Sequence, residues 1–152
     1  MSVTDRLAEL GLSIPEVAKP VASYVPATIA GNLVFTAGQL PFVDGQLPAT
    51  GKVGTEVSAE DAQGYARTAV LNALAAVETA IGSVDRITRI VKLVVFVASA
   101  PEFSGQPAVA NGASDTLVEI FGEAGRHARS AVGVAVLPLD APVELELIIE
   151  FA

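Results

Sequence analysis

The chain reads as one α+β domain with elements in the order ββαβαββ, and three observations predict it. Small and apolar residues recur at helical spacing from Ser58 to Gly82, a β-branched run extends from Ile87 to Val97, and two alternating runs, Ser130 to Val136 and Val143 to Phe151, close the sequence. At 152 residues the chain has room for one real core but not for two ordinary catalytic domains. Residues 1–152 are therefore read as a single domain, with 1–20 as an N-terminal arm.

Within the arm, Thr4 to Leu10 is expected to form a short helix ended by Gly11, and Pro15 to Pro20 an extended approach segment. Two strands follow, around Tyr24 to Ala30 and Leu33 to Gln39, joined by Gly31-Asn32, a pair suited to the positive φ of a tight hairpin. From Leu40 to Val57 the residues Pro41, Asp44-Gly45, Pro48, Gly51 and Gly54 interrupt any regular element, so a surface loop is expected. Ser58, with Asp61 three residues later, resembles a capping box and opens the first long helix. Tyr65, Ala69, Asn72, Ala73, Ala76 and Ala80 mark its turns up to Gly82. A second helix is expected over Asn111 to Phe121, where Leu117, Ile120 and Phe121 cluster on one side and Gly122 is the stop.

Alternation assigns faces to the last two strands. Val132, Val134 and Val136 share one parity, as do Val143, Leu145, Leu147, Ile149 and Phe151, and these are expected beneath the helices. If neither strand carries a bulge, Arg129, Ala131, Gly133 and Ala135 join Glu144, Glu146, Ile148 and Glu150 on the other face. Arg129 and Glu144 then share a helix-free surface. On the long strand both parities are apolar: Val91, Leu93, Val95 and Val97 alternate with Ile90, Val94 and Phe96. Two helices cover one face only, and an exposed apolar strip of that size is an association site, so self-association is expected.

Composition narrows the chemistry. Without cysteine there is no thiolate nucleophile or thiolate metal site, and with one histidine, His127, no His-based metal cluster forms within one chain. No metal site and no cofactor are expected. A net charge of −8 counts against nucleic acid as the main ligand, since phosphate affinity comes from clustered Lys and Arg. Mean hydropathy is high at +0.53. No apolar run reaches the roughly 20 residues of a membrane span, however, and Asp5, Arg6 and Glu9 replace the flank of a signal peptide. The expectation is a cytoplasmic protein without membrane partners.

The segments Thr36-Ala37-Gly38-Gln39-Leu40-Pro41 and Ala128-Arg129-Ser130-Ala131-Val132, continuing through Leu137-Pro138 to Val143-Glu144-Leu145-Glu146, resemble the signatures of the RidA/YjgF family. The likeness runs from about Pro20 to the C-terminus. Its C-terminal part, an arginine, a Leu-Pro turn and a Val-Glu-x-Glu strand, is the more specific. The resemblance implies a chorismate-mutase-like fold with a mixed sheet, a homotrimer with clefts between subunits, and metal-independent hydrolysis of 2-imino acids to 2-keto acids and ammonia. It implies that Arg129 holds the substrate carboxylate, that Glu144 serves the attacking water, and that Tyr24, Gly38, Asn111 and Ala131 line the substrate site. A guanidinium suits the first role because its planar fork matches a carboxylate. A carboxylate suits the second because it orients or deprotonates water.

Ala131 stands where well-known members often carry cysteine or serine, Ala37 replaces a frequent serine, and Val25-Pro26 a usual polar pair, as in a divergent branch with an altered pocket. Two other functions compete. The endoribonuclease activity for which some relatives are named calls for a basic track that this acidic chain does not supply. A non-catalytic, carboxylate-binding regulatory trimer would use the same arginine without turnover. His127 is read as a loop or interface histidine, and Gly51-Lys52-Val53-Gly54 as a turn, because P-loop spacing is absent.

Overall fold

The computed structural model describes residues 1–17 and 22–152. The end of the expected Pro15–Pro20 segment thus lies outside the described residues. The chain opens with helix α1 (Val3–Glu9), followed by strands β1 (Ala27–Ala30) and β2 (Leu33–Thr36) and helix α2 (Ala59–Ile81). Then come β3 (Ile87–Ala98), α3 (Gln106–Phe121), β4 (Ala128–Val134) and β5 (Val143–Phe151). The sheet order is β1-β2-β5-β3-β4, mixed because β3 and β4 are parallel while the other neighbours are antiparallel. The ββαβαββ reading holds, and the short helix expected in the arm is present as α1.

Helix ends follow their capping chemistry. Ser2 and Asp5 form a reciprocal capping box at α1, which the sequence reading did not single out. At α2 the Ser58 hydroxyl accepts from the Asp61 amide, and Gly82 closes the helix at φ +89°. The arm is fastened to the domain: Leu7 is buried, the amide and hydroxyl of Thr4 donate to Asp85 at 2.9 and 3.0 Å, and Arg6 Nε donates to the Glu119 carbonyl at 2.9 Å.

Both long helices lie on one face of the sheet. Ala66, Ala69, Ala73, Leu74 and Val77 of α2 and Val109, Ala113 and Leu117 of α3 pack against Leu93, Val95, Val97, Val143, Leu145, Leu147 and Ile149. The two helices touch closely enough that a β-carbon on Gly112 would overlap the backbone carbonyl of Gln63. Gly112→Ala should therefore destabilise the fold by about 1–3 kcal/mol, the usual range for overpacking a fixed backbone contact. Its urea midpoint should fall; an unchanged midpoint with an unchanged slope would show that the helices part at no cost.

Three sequence expectations are corrected here. Helix α3 starts at Gln106 rather than Asn111, because Pro107 sits in the first turn, where its missing N–H costs nothing. β4 begins two residues earlier than expected and ends at Val134, before Ala135 and Val136. Most consequential, the parity of β4 is inverted. Its parallel register pairs Leu93 with Arg129, Val95 with Ala131 and Val97 with Gly133, so these residues share the helix-covered face. Val132 instead points to the helix-free face, where it is 44% exposed.

The physical reason for the inversion is the parallel register with β3, whose core-facing Leu93, Val95 and Val97 carry their partners to the same side. At Gly133 that side is occupied by polar side chains, since a β-carbon there would come to 2.8 Å from Gln106 Nε2 and 3.1 Å from Ser99 Oγ. On β5 the expected faces hold, with Val143, Leu145, Leu147 and Ile149 buried and Glu144, Glu146 and Ile148 opposite. Along β3, register shifts between Ile87 and Arg89 and between Ile90 and Lys92 turn Ile90 into the core as well. Phe35, Val94, Phe96, Val132 and Ile148 remain as the apolar part of the helix-free face. One end of that face carries a small second cluster of Ala98, Leu137 and Ala141, flanked by Leu40, Leu47, Phe96 and Val134.

The Gly51–Gly54 segment is a turn, as read. Both glycines have positive φ, and the Glu56 carboxylate is folded back to accept from the Lys52 amide at 3.0 Å and from the Thr55 hydroxyl.

Candidate active site

Two groups of side chains emerge where the sequence suggested one. The first sits at the open edge of β4. Arg129 is partly buried, and its Nη1 donates to Asn111 Oδ1 at 2.8 Å and to Ser114 Oγ at 3.1 Å. Both acceptors lie on α3, three residues apart and hence on one side of the helix. Neither is charged, and among the described residues Arg129 has no acidic partner. Its Nε and Nη2 take no partner among those residues either. Pinned at one nitrogen, the guanidinium keeps the two-pronged edge that matches a carboxylate. Ala131, two residues on, shares this face and packs against the main core, so it offers a methyl wall beside the arginine.

Ser114 is itself engaged. Its Oγ lies 2.9 Å from His127 Nε2, and His127 Nδ1 lies 2.6 Å from the Gly125 carbonyl. Sequence reasoning found Asn111 through the resemblance but missed Ser114. The legible signal was its i, i+3 spacing from Asn111 on a helix that precedes the arginine strand. His127 had been read as a loop or interface residue, yet it lies on this network.

The second group lies across the sheet. Glu144 projects from β5 on the helix-free face, half-buried, and Gly38 packs so tightly on it that a β-carbon would overlap Glu144 Oε1. The pairing of Gln39 with Leu145, with N–H···O bonds of 2.7 and 3.0 Å in the two directions, fixes this contact. Burial, and secondarily the charge of Glu146, raises the Glu144 pKa above its ordinary value. Tyr24 is 56% exposed and lines a shallow depression with Val25, Thr28, Phe35 and Ala37, directly before Gly38.

The expectation that Arg129 and Glu144 share a surface is therefore overturned: they occupy opposite faces of one sheet, with β3 between their strands. Within one chain, Asn111, Arg129 and Ala131 thus lie on the helix-covered side, and Gly38 and Glu144 meet on the other, with Tyr24 in the depression that Ala37 also lines. A separate cleft of about 420 Å³, lined by Gln39, Phe42, Asp44, Leu71 and Asn72 among others, includes neither Arg129 nor Glu144. Among the described residues no three His, Asp or Glu side chains converge as a metal site, and no helix is long and apolar enough to cross a membrane.

The mixed sheet backed by two helices, with an arginine strand at its edge, defines an α+β domain. The family model described as "YjgF/chorismate mutase-like, putative endoribonuclease" matches residues 4–151. The chain belongs to that family. It is similar to Atu1372 of Agrobacterium tumefaciens, a protein of unknown function, with a TM-score of 0.91 and 46% identity over 99% of this chain and 92% of that one. A Shewanella oneidensis structure described as "a putative endoribonuclease" superposes with a TM-score of 0.95 at 35% identity, over 99% of this chain and 100% of that one. Escherichia coli TdcF with bound serine is more distant, with a TM-score of 0.65 at 28% identity, over 90% and 94% of the two chains.

Proposed function

We propose that the protein hydrolyses small 2-imino acids to 2-keto acids and ammonia, without metal, in a cleft that two copies of the chain complete. The observation that carries this reading is Arg129: a guanidinium held at Nη1 by two neutral side chains, with no acidic partner among the described residues and its carboxylate-binding edge left over. TdcF, a relative with bound serine, is consistent with a small carboxylate as ligand.

In the proposed reaction the Arg129 fork fixes the carboxylate and so places the imine carbon next to water held by Glu144. Glu144 takes a proton as the water oxygen bonds to that carbon. The C=N π electrons move to nitrogen, which takes up the proton that Glu144 accepted, giving the carbinolamine. Its amino group then receives the carbinolamine hydroxyl proton by way of Glu144 and leaves as ammonia while the C–O bond becomes the keto group.

Because the two groups lie on opposite faces, the reading requires a second copy to bring its Glu144, Gly38 and Tyr24 to this chain's Arg129, Asn111 and Ala131. The apolar helix-free face of Phe35, Val94, Phe96, Val132 and Ile148 supports a homotrimer as the assembly that supplies it. Light scattering at micromolar concentration should give the mass of three chains, and a mass of one chain would overturn the shared cleft.

The decisive assay generates iminopropanoate from an amino acid in situ and follows ammonia release. Acceleration by the protein, undiminished by exhaustive chelation, is expected. Binding of pyruvate without any acceleration would mean a carboxylate-binding regulatory trimer instead. Cleavage of RNA with no effect on the imine would favour the endoribonuclease reading.

A further inference from the structure

We infer that Ser114 and His127 are positioning residues that orient the Arg129 guanidinium, an assignment that rests on Arg129 being the carboxylate anchor. The Gly125 carbonyl only accepts, so the nitrogen 2.6 Å from it, His127 Nδ1, carries a proton and donates. In the neutral ring Nε2 is then a bare acceptor. Among the described residues the polar hydrogen that can meet it is that of the Ser114 hydroxyl, 2.9 Å away, which is thereby directed at Nε2. With its hydrogen committed, Ser114 Oγ faces Arg129 with lone pairs alone, and Nη1 donates to it at 3.1 Å. The chain of donors runs in one direction, from Arg129 to Ser114 to His127 to the Gly125 carbonyl. It determines which guanidinium nitrogen is used up and which edge remains.

Backbone packing fixes the far end of this relay. Residues Gly122–Gly125 form a 3-10 turn directly after α3, and Gly125 is buried so tightly that a β-carbon there would overlap the Leu117 carbonyl. The carbonyl that sets the histidine tautomer is thus held against the same helix that carries Asn111 and Ser114. Asn111, exposed near the surface, anchors Nη1 from one side, while the Ser114–His127 pair, partly buried, anchors it from the other. Free rotation of the guanidinium about its last bonds would otherwise scatter its two-point contact.

The test is a double-mutant cycle read by calorimetric binding of pyruvate to the intact protein. Ser114→Ala and His127→Leu should each weaken binding roughly three- to tenfold, the effect of losing one supporting hydrogen bond. The double variant should be no weaker than Ser114→Ala alone, because His127 acts only through the serine. His127→Gln, which keeps an acceptor and a donor, should recover much of the affinity. Near-normal affinity of the two single variants, with Arg129→Ala still abolishing binding, would overturn the positioning role alone. Failure of the unmodified protein to bind pyruvate would overturn the carboxylate anchor and this role with it. A readout that needs no variant is the ¹⁵N spectrum of the imidazole: the proton of neutral His127 is expected on Nδ1, and a proton on Nε2 instead would overturn the relay.

Discussion

Arg129→Lys is expected to lose nearly as much imine hydrolysis as Arg129→Ala, on the order of 10²-fold or more in kcat/KM, because a small misplacement of the reacting carbon has that cost. Charge is retained in the lysine variant, so a purely electrostatic anchor predicts partial rescue. The structure argues against rescue. Arg129 gives Nη1 to Asn111 and Ser114, while Nε and Nη2, without partners among the described residues, would serve the ligand in the proposed reaction, and these tasks point in different directions. A lysine ammonium is a compact point charge on a flexible stem. Turned toward α3 it releases the carboxylate; turned toward the carboxylate it leaves Asn111 Oδ1 and Ser114 Oγ without their donor. Steady-state kinetics with in situ iminopropanoate would decide. Near-normal turnover of Arg129→Lys would remove the two-point contact from the mechanism.

The inverted parity of β4 shows what alternation does and does not encode. Valines at 132, 134 and 136 looked like the core face because alternation records apolarity, not which apolar surface receives it. In β5 the alternative residues at 144 and 146 are glutamates, so one face was excluded and the reading held. In β4 the alternatives were alanine and glycine, which are compatible with either face. The parallel pairing with β3 placed the small residues on the helix side and left Val132 outside. The bulges in β3 likewise escape a strict period of two, although the doubly apolar strand was legible.

At the site, sequence gave residue types through the family motifs, but strand parity alone could not say that they divide between faces. That division depended on the parallel β3–β4 register, a long-range property. Ser114 escaped notice for a related reason: an unremarkable helical serine becomes informative only when a strand brings an arginine to one side of it and a histidine to the other.

Glu144→Gln should separate binding from chemistry. The amide keeps the size of the side chain but cannot take the proton of the attacking water, so turnover should fall on the order of 10²-fold while pyruvate affinity stays close to that of the unmodified protein. The pH dependence follows from the raised pKa, whose first cause is burial and whose second is Glu146. The base is the ionised form, present above the folded pKa. Activity should thus fall on acidification at a higher pH than an ordinary glutamate would give. Glu146→Gln removes the second cause and should move that acid limb to lower pH, though burial keeps it above the ordinary value. Stability should respond in the opposite sense. A carboxyl whose folded pKa is raised stabilises the fold while protonated, and that contribution is lost as pH rises through the folded pKa. At neutral pH the ionised Glu144 therefore costs stability, and Glu144→Gln should melt at a higher temperature than the unmodified protein while turning over more slowly. The two should converge in acid, where Glu144 is already neutral. Such a trade of stability for activity is expected of a group kept for chemistry. A glutamine variant that melted lower at neutral pH and kept full turnover would make Glu144 a packing residue, and the water would need another base.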